Sequence, residues 1–155
     1  MKREVLFRVA SRLASKYTYP IPGPWDDEDD EYKWTTRFGL KGLLWRNSLG
    51  TWCVYVEVPE GNPGYERSHE SLKDIAVGNR KFEEINFSGR LSGMRWAFGV
   101  SFDHFGHLLP TSSDNDADSV YVTQEEAKEL GEKLALIISE LTEDSFKERD
   151  PYEDD

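Results

Sequence analysis

Imidazole and carboxylate side chains gather in one short stretch of this chain. Between Trp96 and Pro110 (WAFGVSFDHFGHLLP) an apolar run leads into Asp103, His104 and His107 around Gly106, and two of the three histidines lie here. Imidazole with carboxylate is a ligand set for Zn²⁺ or another transition metal, and a histidine beside an aspartate can act as a general base. The spacing is not that of the helical H-E-x-x-H motif. His-x-x-His on an extended chain points to opposite faces, so convergence requires a turn at Gly106. Asp103 and His104 are therefore the candidate catalytic residues, and Asp103, His104 and His107 the candidate metal ligands. A histidine that only caps a strand end explains the same residues without chemistry, and no cofactor is expected.

Cys53 is the single cysteine. It could pair with His104 as nucleophile and base, since a thiolate needs a neighbour that lowers its pKa. A cysteine in an alternating strand is more simply a small buried hydrophobe. Glu57 and Glu60 are possible carboxylate partners for Asp103 whose distance the sequence leaves open. No glycine-rich phosphate loop, nucleophile elbow or kinase signature is present. One cysteine excludes an internal disulfide and suits a reducing compartment. Residues 1–17 interrupt their apolar positions with Arg8, Arg12 and Lys16, unlike a secretory leader, and no apolar run reaches the roughly twenty residues of a membrane span. The expectation is a cytoplasmic protein.

The elements that would position these residues read as an α+β domain over residues 1–142, followed by an acidic, flexible tail over 143–155. Val5, Leu6, Val9 and Leu13 have helical spacing and predict a short N-terminal helix, although KREVLFRV can also be read as a strand. Residues 18–33 hold prolines and six consecutive acids, Asp26 to Glu31, and read as a loop. Phe38–Trp45 and Thr51–Pro59 predict a hairpin around Asn47–Gly50; Trp52, Val54, Val56 and Val58 share its core-facing side, while Cys53, Tyr55 and Glu57 share the other. Trp45 and Trp96 are also assigned to the core. Ser68–Ala76 is a possible short helix, and Glu84–Leu91 with Met94–Phe102 predicts a second hairpin. Thr123 and Glu126 form a capping box. It opens a helix whose stripe Ala127, Leu130, Leu134, Ile137, Ile138 and Leu141 would pack across the sheet. Gly131 costs about 1 kcal/mol against alanine inside a helix, so it is expected to admit a strand closely. The architecture expected is an antiparallel sheet of four to five strands between 36 and 122, packed by the C-terminal helix and by the N-terminal one.

At the two hairpins the chain resembles a group of small bacteriophage-encoded proteins of unknown function. The stretches that carry the resemblance are GTWCVYVEVPEGNPGY (Gly50 to Tyr65), INFSG (Ile85 to Gly89), and Trp96, Gly99, His104, Gly106 and Pro110 in W-x-x-G…H-x-G…P order. In that group the last stretch follows a W-x-x-G-F-D-x-x-H-x-G-D type signature. The resemblance covers residues 50–110. Ser101 and His107 stand where the group has aspartates, and Asn62 where it has a histidine; only His104 keeps its place. The resemblance implies a soluble accessory protein that acts inside an infected bacterium.

Charge points the same way. The chain carries −11, and residues 1–17 hold Lys2, Arg3, Arg8, Arg12 and Lys16 against Glu4, a local +4 that leaves −15 for the remainder. Such a surface repels phosphate backbones and attracts basic, nucleic-acid-binding proteins. Trp25 and Trp34 flank the acidic run, and tryptophan anchors interfaces through its large contact area. Trp25, Asp26, Asp27, Glu28, Asp29, Asp30, Glu31 and Trp34 are therefore the candidate partner-binding residues, although acid runs are most simply solvated loops. The function expected is binding and inhibition of a host protein, in anti-defence or host takeover, through an acidic surface that mimics nucleic acid. Direct contact with nucleic acid or membrane is not expected. The alternative is a small metal-dependent hydrolase or nucleotide-handling enzyme centred on His104. A third reading is a protein that sequesters a host signalling nucleotide.

Overall fold

The structure, a computed structural model, describes residues 17–79, 83–104 and 106–148. The expected N-terminal helix and the end of the expected tail lie outside these residues. The fold is α+β. Five antiparallel strands, β1 (Glu31–Thr35), β2 (Lys41–Arg46), β3 (Trp52–Glu57), β4 (Phe87–Leu91) and β5 (Met94–Ser101), form one sheet in the order β1-β2-β3-β5-β4. Among the described residues the α-helix α1 (Gln124–Ser139) packs on β3 and β2.

Alternation along the strands decides which side is dry. Trp52, Val54 and Val56 of β3 face α1 together with Leu44, Phe98 and Val100, and this cluster takes Ala127, Leu130, Leu134 and Ile138 from the helix stripe. Both hairpins form as the turn residues predict. Thr123 caps α1, accepting from the Glu126 amide at 3.1 Å, while Glu126 accepts in return from the Thr123 amide.

Gly131 has the role expected of it. A Cβ there would lie 2.8 Å from the Trp34 ring and 2.9 Å from Val54 Cγ2, and one at Gly42 would also lie 2.8 Å from that ring. Trp34 is thus wedged between β2 and α1. Its indole N–H donates to Glu132 at 2.8 Å, and the Arg37 amide donates to the same carboxylate at 3.0 Å. One buried acid on the helix therefore clamps both β1 and the turn that follows it.

Several expectations are corrected. The segment 18–33 is not loop throughout, because Glu31 and its neighbours pair with β2 as an edge strand, Glu31 opposite Trp45 and Tyr32 opposite Leu44. Edge strands tolerate charge, so EYKWT forms one despite its polarity. Ser68–Ala76 holds only a 3-10 turn, His69–Ser71. The tail does not begin at Glu143: Glu143–Ser145 makes a 3-10 turn, and Phe146 is buried in a bridge to Leu72. Trp45 is 47% exposed rather than core, since its place on β2 turns it away from α1.

Candidate functional site

Two assemblies of polar side chains stand out, one at the C-terminal end of β5 and one along the acidic run. At the first, Gly106 adopts φ +98 and supplies the turn on which convergence of the histidines depends. The turn separates them instead. The His107 ring is buried edge-on against Phe102 at 5.7 Å, and its Nδ1 accepts from the His104 amide at 3.2 Å. His104 stays outside, with 6.4 Å between the two ring centroids. Among the described residues no three His, Cys, Asp or Glu side chains gather as metal ligands.

What surrounds His104 is a network that no motif announces. Asn86, held by its amide to the Gly99 carbonyl at 2.9 Å, accepts from the Ser101 amide through Oδ1 at 3.2 Å. A backbone amide can only donate, so the Nδ2 end of Asn86 faces the other way. There it donates to Ser101 Oγ at 3.0 Å and to His104 Nε2 at 2.6 Å. His104 Nε2 is therefore an acceptor, and Asn86 holds the lone pair that a general base would use. Ser101 Oγ lies 3.3 Å from the same nitrogen. Asp103 approaches that nitrogen too, at 3.9 Å, and so does not orient the ring from Nδ1 as the acid of a catalytic triad does.

Cys53, Tyr55, Asn86, Phe87, Ser101, Asp103 and His104 line one cleft of about 330 Å³. Burial pushes the Cys53 thiol up and outweighs the opposing hydrogen bond from Tyr55, with the Asp103 carboxylate adding to the rise and Asn47 opposing it. The raised thiol disfavours the thiolate that a nucleophile paired with His104 would need. Alkylation of native protein by iodoacetamide at neutral pH should be much slower than of unfolded protein, and its rate should still be rising above the ordinary thiol range. A native rate equal to the unfolded one would contradict this. Glu57 and Glu60 do not join Asp103; they line a separate cleft with Lys41 and Arg95, and Glu60 pairs with Arg95.

At the second assembly the acidic run alternates. Asp26, Glu28 and Asp30 are half-buried, whereas Asp27, Asp29 and Glu31 are exposed. Glu28 and Asp30 have a target that the sequence concealed, the fully buried Arg46. Its guanidinium reaches Glu28 at 3.5 Å and Asp30 at 3.3 Å, donates to the Gly50 carbonyl at 2.7 Å and to Tyr121 Oη at 3.1 Å, and lies 4.2 Å over the Trp52 ring. Glu28 also accepts from Tyr121 and, at 2.6 Å, from the amide of Gln124 in the first turn of α1, where the helix dipole favours an anion. Burial, then the hydrogen bond to Glu28, pushes the Tyr121 phenol up, outweighing the nearby Arg46 charge and keeping the hydroxyl a donor. Asp26 accepts from the Gly23 amide at 3.1 Å. Trp25 is buried edge-on against Tyr121, and Trp34 is the wedge beneath α1. Neither ring is an exposed anchor, which corrects that part of the expected partner-binding set.

The positions behind the family resemblance have structural duties. Trp96 donates to the Arg67 carbonyl at 3.0 Å, Gly99 admits the Tyr55 ring, and Gly106 takes its positive φ. Asn62 ties its turn to α1 through the Ile138 carbonyl at 2.8 Å. Compared with known families, curated proteins and solved structures, the chain matches none of them. No helix among the described residues is long and apolar enough to cross a membrane.

Proposed function

We propose that this protein is a phage-type accessory protein that binds a basic host protein through an ordered acidic edge, occupying a surface that otherwise meets nucleic acid. The observation that supports this reading is the alternation in Asp26–Glu31. A solvated acidic loop spends its charges at random, whereas here Arg46 holds Glu28 and Asp30, and Asp27, Asp29 and Glu31 alternate with them on the exposed side beside the edge strand. Pre-ordered charge loses little entropy on binding, and complementary charge steers a partner's approach. Inhibition of the partner follows when the covered surface is its phosphate-binding one. The hydrolase alternative lacks comparable support, because the lone pair of His104 is already engaged by Asn86.

The test uses the full chain and a variant carrying Asp27→Asn, Asp29→Asn and Glu31→Gln. Affinity capture from bacterial lysate should recover basic, nucleic-acid-binding proteins, with retention falling as salt rises and lost in the variant. Capture of no such partner, or capture indifferent to salt and to the three substitutions, would reject the reading.

A further inference from the structure

α1 covers one face of the sheet, and the other face carries the cleft beside His104. Strand register places Glu31, Trp45, Cys53 and Ser101 in one row across that face, and Lys33, Leu43, Tyr55, Gly99 and Phe87 in the next. The cleft and the acidic edge therefore share a surface, three strand spacings or about 14 Å apart.

The cleft has aromatic walls and an anionic rim. The Tyr55 ring sits on Gly99, where a Cβ would approach it to 2.7 Å, and Phe87 meets Tyr55 edge-on at 5.1 Å. At the rim the Asp103 side chain is 31% exposed. Its Oδ2 receives only a long contact from the neutral Asn47 amide, 3.5 Å, and no Lys or Arg among the described residues pairs with it. His104 does not neutralise it either, because the nitrogen nearest Asp103 is the one that accepts from Asn86. The carboxylate's field reaches the cleft wall, where it adds to burial in holding the protons on Cys53 and Tyr55.

We propose that this cleft receives a cationic side chain, a guanidinium in preference to an ammonium, from the basic partner inferred above. The inference rests on that reading for its partner and on the cleft alone for its chemistry. A guanidinium is planar, lies against tyrosine and phenylalanine rings, and offers forked donors to a carboxylate. An anionic ligand would meet Asp103, and a neutral one would leave its charge unanswered.

NMR titration of the full chain with Nα-acetyl-arginine amide, and with the uncharged citrulline analogue, tests it. The arginine probe should shift the Tyr55, Phe87 and His104 signals, the citrulline probe should not, and Asp103→Asn should weaken arginine binding about tenfold with thermal stability unchanged. Phe87→Leu, which removes one wall and keeps the carboxylate, should also weaken it. Equal response to both probes, no response to arginine, or indifference to both substitutions would overturn the proposal. Cleft signals that move on Arg8→Gln and Arg12→Gln without any probe would assign the cleft to the chain's own basic segment, and signals that depend on protein concentration would assign it to a second copy; either result overturns the assignment to a partner. Salt-dependent capture without arginine binding rejects the cleft and leaves the acidic edge standing; the converse rejects the edge alone.

Discussion

Arg46→Met should destabilise the protein by about 3–5 kcal/mol, the usual consequence of removing one partner from a buried ion pair. The loss has several origins. Glu28 and Asp30 keep their charges in a half-buried setting, the Gly50 carbonyl and Tyr121 hydroxyl lose a donor, and the Trp52 ring loses the cation above it. A domain of this size commonly has only about 5–15 kcal/mol of stability, so urea unfolding should show a large fall in midpoint. Arg46→Lys keeps the charge but not the fork and should fall between. Combining Arg46→Met with Glu28→Gln and Asp30→Asn should restore part of the loss, since the uncompensated charges go. Hydrogen exchange in Arg46→Met should rise first over residues 24–30, because Arg46 ties Glu28 and Asp30 to the sheet. A loss below about 1 kcal/mol would mean that the network is a passive solvated cluster.

Glu132→Ala is the second large effect, about 2–3 kcal/mol, since hydrogen bonds to a charged acceptor contribute more than neutral ones and two are lost together. The donors left behind, Trp34 Nε1 and the Arg37 amide, belong to β1 and its turn, so the damage should concentrate at the sheet edge. Glu132→Gln retains one acceptor oxygen and presents an N–H₂ to the other donor, so it should recover only part. Chemical denaturation gives the magnitude, and Trp34 fluorescence gives the location. Unchanged stability in Glu132→Ala would show that water replaces the carboxylate without loss.

These two residues also mark where reading the sequence stops short. Periodicity carries hydrophobic information, so Trp52–Val58, the second hairpin and the stripe of α1 were legible, as were the capping box and the close approach at Gly131. A buried charge breaks the same code. Arg46 beside a turn and Glu132 among surface glutamates look like solvent-facing residues, and only tertiary partners distant in the chain, Glu28 and Trp34, reveal otherwise. The acidity of Glu31 and its neighbours likewise hid an edge strand, and the charge around Phe146 hid an anchored residue. At the candidate site the turn at Gly106 was foreseeable, but not the direction in which it sends His107. Asn86 and Ser101 belong to no motif, and their relation to His104 exists only once β4 lies beside β5.

The alternation over Asp27–Glu31 divides five neighbouring residues between two kinds of selection. Glu28 and Asp30 answer to Arg46 and cannot drift without loss of the fold, whereas Asp27, Asp29 and Glu31 are exposed, Glu31 within 3.4 Å of Lys33 Nζ. Substitution at the exposed positions should cost the scaffold less than substitution at 28 or 30. Homologues should therefore vary at 27, 29 and 31 while they keep 28, 30 and 46 in step.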